Sequence, residues 1–362
     1  MTRVVWVAAG GTAGHINAAL SVIEALNDEV VPVLITTDRS LDHEVTAHIT
    51  IQTARIQGVG FARGLPGVLR ALGKNVEAFG ANVALLWALP RPERVVSFGG
   101  FHTPLVSLVG RLRGARSYLL EQNAALTRAN RLVGVWSARV FLAWPVPVPK
   151  SWLGRSVVVG NPPRAAVVAA VGERARVREA LGFALDEVVV VVTSGSLGAR
   201  SVNAAAREAA SLLAREEGVS IVHAMGSTNG FSESELLGLG HLTNYRPVGY
   251  DPELYRYLVA ADLVVARAGA STLTEIALCG VASILIPLPG SPNDHQQRNA
   301  EVFARAGASI VLEDGVMTGR VLADTIGDLV ADGPRRCSMG EAARRLAHPD
   351  AAKVIWEEME RV

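Results

Sequence analysis

Short runs of β-branched and other apolar residues alternate along nearly the whole chain with longer, alanine-rich stretches of helical periodicity. That alternation is the pattern of parallel α/β sheets covered by helices. Strands are predicted at Val4–Ala9, Val31–Thr36, Arg94–Phe98, Ser117–Leu120, Val157–Val159, Val188–Thr193, Ser220–Ala224, Leu263–Ala266, Ser283–Pro287 and Ser309–Leu312. They fall into two groups. The proline-rich stretch Trp144–Pro149 and the turn Asn161-Pro162-Pro163-Arg164 separate them, because consecutive prolines neither continue a helix nor sit in a central strand. The expected organisation is a domain over 1–160, a second over 161–340, and a helical stretch over 341–362, interrupted by Pro349.

In each group the first strand runs into a loop of small residues that opens a helix: Gly10-Gly11-Thr12-Ala13-Gly14 and Ser194-Gly195-Ser196-Leu197-Gly198. Two doubly wound, Rossmann-like domains facing each other would place a ligand cleft between their carboxyl edges.

Composition narrows the function classes. Thirty-five Lys and Arg against 34 Asp and Glu leave a net charge of +1, which disfavours a general nucleic-acid binder. With 49% hydrophobic and 19% charged residues, a disordered chain is excluded and sizeable cores are affordable. Cys279 and Cys337 are the only cysteines, so neither a disulfide framework nor a cysteine zinc site is available, and an intracellular protein is expected. The apolar stretch after Met1-Thr2-Arg3 is too short for a signal-peptide core, and no run reaches the roughly 18–20 residues needed to span a bilayer. A mean hydropathy of +0.28 leaves room for peripheral membrane contact.

The candidate chemistry lies at strand ends. In Gly10–His15 the unpaired amides at a helix start would face a ligand that glycines let approach closely, and His15 adds a side chain of the type that can titrate near neutral pH. The competing reading is a glycine turn kept for packing. Neither G-x-G-x-x-G nor G-x-x-x-x-G-K-[ST] is matched, which weakens dinucleotide and P-loop readings. Ser194–Arg200 offers hydroxyls and amides suited to a diphosphate without a metal, or simply a Ser/Gly helix cap. From Asp262 to Ala300, Arg267–Glu275 opens a helix whose Glu275 carboxylate could accept hydrogen bonds from two vicinal hydroxyls, as a ribose presents, and Asn293–Ala300 starts another. Leu65, Leu69, Leu72, Val76 and Phe79 recur at helical spacing after Pro66, with Arg63, Arg70 and Lys74 close by. This reads equally as a basic amphipathic helix resting on anionic headgroups or as the core face of an ordinary helix.

Taken in order, these segments resemble the MurG family of bacterial peptidoglycan glycosyltransferases, within the GT-B superfamily, over essentially the full length. Gly10-Gly11-Thr12-Ala13-Gly14-His15-Ile16 is similar to GGTGGHI, Phe98-Gly99-Gly100-Phe101 to the GGY segment, Glu121-Gln122-Asn123 to HEQN, and Gly160-Asn161-Pro162-Pro163-Arg164 to GNPVR. Ser194–Arg200 is similar to GGSQGAR, Arg267-Ala268-Gly269-Ala270 to CRSGA, and Asp294-His295-Gln296 to DHQ. The resemblance implies an inverting transfer of GlcNAc from UDP-GlcNAc to the C4 hydroxyl of lipid I, giving lipid II, at the cytoplasmic face of the membrane. It implies that the second domain holds the donor. Arg164 and Ser196 would lie at its diphosphate, Ala270, Ser271 and Thr272 would present backbone and hydroxyl groups, and Glu275 would bind the ribose. Gln296 and Gln297 would hold the sugar, and uracil would lie near Val248-Gly249-Tyr250. Gly11, Thr12, Gly14, His15, Gly100 and Asn123 would face the acceptor, with His15 as general base and Glu121 as the alternative. Leu65, Leu69, Arg70, Leu72 and Lys74 would meet an anionic inner-membrane surface. Partners in cell-wall synthesis or division fit this picture, and nucleic acid does not.

No Asp-x-Asp occurs, so a metal-clamped diphosphate lacks its usual ligands and no cofactor is expected beyond the UDP-GlcNAc substrate. The family pattern is altered at Ala13, Ala18, Leu120, Leu197 and Ala224; Leu120 replaces the histidine of HEQN and Leu197 the glutamine of GGSQGAR. These losses keep three alternatives open: a GT-B transferase using another nucleotide sugar or acceptor, a UDP-GlcNAc 2-epimerase, and a catalytically weak binding protein on the same fold.

Overall fold

The protein is seen here as a computed structural model that describes residues 3–57, 65–214, 216–227 and 242–362, with 65–76 described as helical backbone only. The chain divides into two compact units, Met1–Pro162 with Asp350–Val362, and Pro163–Pro349.

The first unit is a seven-stranded parallel sheet of β1 (Arg3–Ala8), β2 (Val30–Thr37), β3 (Gln52–Ile56), β4 (Arg94–Ser97), β5 (Arg116–Glu121), β6 (Arg139–Leu142) and β7 (Ser156–Val158). Their spatial order is β3-β2-β1-β4-β5-β6-β7. Valine-rich central strands form because both faces are covered. On one side Val5, Val7, Leu34, Val96 and Tyr118 pack in one core; on the other Trp6, Val33, Ile35 and Val95 pack in a second. The last helix, Ala351–Arg361, belongs to the first of these cores through Ile355, Trp356 and Met359. The Met359 carbonyl accepts from the Tyr118 hydroxyl and from Arg94 Nε, both at 3.1 Å. Glu360 pairs with Arg3 at 2.5 Å, and this contact holds its carboxyl below the usual range. The preceding helix, Gly333–Arg344, stays with the second unit, so of the stretch 341–362 only Asp350–Val362 joins the first.

The second unit is a six-stranded parallel sheet of β8 (Val188–Thr193), β9 (Val219–Ala224), β10 (Tyr245–Val248), β11 (Leu263–Ala266), β12 (Ala282–Leu285) and β13 (Ser309–Val311), in the order β10-β9-β8-β11-β12-β13. Val190, Val192, Ile221, Val265 and Ile284 face a core closed by Val202, Ala206 and Leu322 from the flanking helices.

Three strands go beyond the apolar runs of the sequence. β3 (QTARI) and β10 (YRPV) are edge strands, where polar residues and Pro247, lacking an amide proton, are tolerated. β6 is four residues long and leads into the prolines that hid it. Among the described residues no helix is long and apolar enough to cross a membrane.

Candidate functional site

In the first unit, the register Ala8↔Ile35, Ala8↔Ser97 and Ser97↔Leu119 brings four loops side by side at the carboxyl edge. They are the glycine loop after β1, Asp38-Arg39 after β2, Phe98–Phe101 after β4 and Glu121–Asn123 after β5. The helix Ala13–Glu24 begins with Thr12 as N-cap, its hydroxyl accepting from the His15 amide at 3.3 Å. The His15 ring is half-buried, and its Nδ1 lies 3.0 Å from the Gly10 carbonyl. A carbonyl only accepts, so Nδ1 carries the proton and Nε2 is the basic nitrogen. Gly99 and Gly100 have φ of +97° and +105°, and a Cβ on Gly99 would stand 3.3 Å from His15 Nε2. Glycine is required there both by backbone conformation and by the approach of the imidazole.

The expectation that the glycine-loop amides are unpaired needs correcting at Gly11. Its N–H is 3.1 Å from both oxygens of Asp42, a fully buried carboxylate. Asp42 also accepts from the Thr36 hydroxyl at 2.7 Å, the Thr37 hydroxyl at 2.6 Å and the Thr37 amide at 3.0 Å. Burial works against this carboxylate, yet the hydrogen bonds from Thr37, Thr36 and Gly11 together hold its pKa below the ordinary value. The neighbouring His102 ring is pushed down to about 4, chiefly by burial and then by the charge of His15.

Glu121 is likewise engaged. It is 1% exposed and accepts from the Asn123 and Thr127 amides, both at 3.1 Å, and from Asn130 Nδ2 at 2.8 Å. Burial pushes its carboxyl up against these bonds. With its oxygens holding the loop 122–130, Glu121 anchors backbone. Asn123 is tied to this anchor, and Gly100 accepts from the Thr103 hydroxyl at 2.9 Å. The side chains of Leu65, Leu69, Arg70, Leu72, Lys74 and Val76, together with Arg63, lie outside the described residues.

In the second unit, Thr193↔Ala224, Ala266↔Thr193 and Ala266↔Leu285 again align the strand ends. The loop after β8 is held from within: the Ser194 hydroxyl accepts from the Ala199 amide at 2.8 Å, and the Ser196 carbonyl accepts from the Ser227 amide at 2.8 Å. The helices Arg200–Leu212 and Ala270–Cys279 both start without a side-chain cap. Ala270, Ser271 and Thr272 form the first turn of the latter, half-buried. One turn on, Glu275 meets Arg164: Nε and Nη2 reach the same oxygen, Oε1, at 2.9 and 2.7 Å. Arg164 also donates to the Pro252 carbonyl at 3.2 Å and stacks 5.4 Å over Tyr255. Burial pushes the Glu275 carboxyl up while the Arg164 charge pulls it down.

Gln296 donates its amide towards Ser291 Oγ at 3.3 Å and accepts from the Leu288 amide at 3.0 Å, so it fixes the turn after β12. Asn293 and Asp294 adopt left-handed conformations in a single 3-10 turn, which delays the following helix to His295. Gln297 and Tyr250 are exposed.

Two polar hubs acquire their partners only in the fold. Arg267, buried, donates from Nη1 to the Ile286 and Pro287 carbonyls at 3.1 and 3.2 Å, pairs with Asp314 at 2.7 Å, and reaches Ser201 from Nη2 at 3.1 Å. His223 joins Tyr245 at 2.8 Å and Asn203 at 3.1 Å, and Asn203 donates to the Met225 carbonyl at 3.0 Å. Burial pushes His223 down to about 4. In the sequence Arg267 stands at a strand end within a family-like segment and His223 in an apolar run, and neither segment names these partners. Among the described residues no group of three His, Cys, Asp or Glu side chains could hold a metal ion.

Comparison with known proteins gives a consistent result. Residues 5–142 match the glycosyltransferase family 28 N-terminal domain, and residues 189–355 its C-terminal domain. The UDP-N-acetylglucosamine–N-acetylmuramyl-(pentapeptide) pyrophosphoryl-undecaprenol N-acetylglucosamine transferase of Xanthomonas euvesicatoria is 37% identical over 361 residues, covering 98% of this chain and 80% of the relative. A protein of the same name from Cellvibrio japonicus is 32% identical over 359 residues, covering 98% and 97%. The crystal structure of Acinetobacter baumannii MurG superposes with a TM-score of 0.77 at 26% identity, covering 100% of both chains.

Proposed function

The chain belongs to glycosyltransferase family 28, and from this premise we infer that it moves N-acetylglucosamine from UDP-N-acetylglucosamine to undecaprenyl-diphospho-N-acetylmuramyl-pentapeptide, lipid I, producing lipid II. It is a two-domain parallel α/β enzyme of the GT-B class. The observation that carries this reading is the relatives of that activity at 32–37% identity over nearly the whole chain.

We assign the residues as follows. The donor belongs to the second unit. Its diphosphate takes the starts of the helices Arg200–Leu212 and Ala270–Cys279, which carry no side-chain cap and whose positive ends stabilise the departing UDP, with Ser196 and Arg164 beside it. Both Arg164 contacts go to Glu275 Oε1, which leaves Oε2 for the ribose hydroxyls. Gln296 and Gln297 serve the sugar, and Tyr250 the base. The acceptor belongs to the first unit, at Thr12, Gly14, His15, Gly100 and Asn123. His15 Nε2 takes the C4 hydroxyl proton, the oxygen attacks C1 of the sugar in line, the C1–O bond to UDP breaks, and configuration inverts. The reaction runs without a metal in this reading, because the sequence has no Asp-x-Asp. The lipid acceptor calls for a membrane-facing surface, and the basic amphipathic start of helix Leu65–Ala88 is assigned to it.

The test is radiolabel transfer from UDP-GlcNAc to a lipid I analogue, with EDTA and with a no-acceptor control. Labelled disaccharide-lipid is expected in EDTA. Donor binding without transfer would point to another acceptor, and conversion of the donor without any acceptor would identify an epimerase.

A further inference from the structure

Arg39 stands at the open side of the first glycine loop. It is exposed and precedes the short helix Ser40–Val45, with its guanidinium centre 5.4 Å from the Phe101 ring. Its Nη1 is 3.8 Å from the point a Cβ would occupy on Gly11. Among the described residues it forms no ion pair. Its chain neighbour Asp38 forms no ion pair with it, and Asp42, three residues on, spends its oxygens on Gly11, Thr36 and Thr37.

This arrangement has an electrostatic consequence. Asp42 is a buried anion immediately behind Gly11, so any anion approaching the loop meets a like charge in a poorly screened setting. It also removes the Gly11 amide as a donor. A diphosphate settling on the Thr12–Gly14 side is favoured by a cation that offsets Asp42, and Arg39 Nη1 stands beside Gly11. Its planar, ever-charged guanidinium is suited to grip phosphate oxygens with parallel hydrogen bonds, and the Phe101 face holds it in register.

We propose that Arg39 is a binding residue for the diphosphate of the acceptor, held over Gly11 by Phe101 and set against the buried Asp42 carboxylate. This rests on the reading of the first unit as the acceptor side. The donor diphosphate has its own uncapped helix starts and Arg164 in the second unit, so Arg39 affects the acceptor alone.

The experiment measures KM and kcat for R39Q and R39K with UDP-GlcNAc and two lipid I analogues, one with and one without the peptide, at low and moderate salt. R39Q is expected to raise the acceptor KM at least about 10-fold for both analogues, with kcat and donor KM within about 2-fold. R39K is expected to recover most of the loss, and the salt dependence of the acceptor KM should flatten in R39Q. An unchanged acceptor KM, a shift confined to the peptide-bearing analogue, or a shift in donor KM overturns the assignment. His15→Ala run alongside separates the two levels. If it retains turnover, the acceptor reading of this loop is wrong; if it loses turnover while R39Q is silent, only the Arg39 assignment falls. Matching melting curves for R39Q and wild type exclude a folding effect.

Discussion

The two units repeat one device, a parallel strand running through a small-residue loop into a helix, and they finish it differently. In the first unit the loop is partly satisfied from within: Thr12 caps the helix and Asp42 takes the Gly11 amide. In the second, the helices Arg200–Leu212 and Ala270–Cys279 begin uncapped, and the polar side chains beneath them tie loops to one another. Unsatisfied helix amides are a standing site for phosphate, whereas capped ones leave recognition to side chains. The same fold element thus offers backbone charge on one side and an oriented imidazole and guanidinium on the other.

The sharpest way to break this contrast is His15→Ala. If the first unit works through side chains, turnover should fall roughly 10²–10⁴-fold at saturating donor, with UDP affinity unchanged in a calorimetric titration. Next in size is the response to acid. His102 in the first unit and His223 in the second are both held neutral, with pKa pushed down from 6.5 to about 4. The unfolded chain takes up protons below pH 6.5 that the folded chain refuses until about pH 4. Stability should therefore drop across that window, by on the order of 3 kcal/mol per histidine. Hydrogen exchange at pH 7 and pH 5 should show both units loosening; His223→Gln should flatten the response of the second unit only.

Glu275→Gln comes third. Losing the charged acceptor for ribose hydroxyls should raise the KM for UDP-GlcNAc about 10-fold or more while leaving the acceptor KM alone. A larger effect on the acceptor would remove the division of labour between the units. The smallest effects come from exchanging the caps. Thr12→Ala should cost the first unit about 1 kcal/mol in a denaturant titration. Ala199→Ser should stabilise the second by a few tenths of a kcal/mol yet weaken UDP binding several-fold, because the new hydroxyl competes for amides assigned to phosphate. If Ala199→Ser leaves UDP affinity intact, the diphosphate does not use that helix start.

Much of this was legible in the residues. Val188–Thr193 and Leu263–Ala266 coincide with their strands, since fully buried parallel strands advertise themselves as β-branched runs. The glycine loops, Glu275 and His15 drew attention as small or titratable residues at strand ends and helix starts, and Arg164 through the family resemblance. The edge strands β3 and β10 were hidden, since half-exposed strands need no apolar run. The partners of Asp42, Arg267 and His223 were hidden for a different reason: the fold gathers them from separate parts of the chain, as with Ser201, Ile286 and Asp314 around Arg267.

Local pattern alone therefore determined that the chain forms two parallel α/β units and which loops stand at their carboxyl edges, because periodicity and small-residue turns are properties of neighbouring residues. Which helix starts carry a side-chain cap, that Glu121 anchors backbone, and that Arg39 faces Gly11 with no ion pair among the described residues were decided only in three dimensions. Hydrogen-bond satisfaction is settled by whatever group the fold brings within about 3 Å, and that proximity is written in the sheet register rather than in any single stretch of sequence.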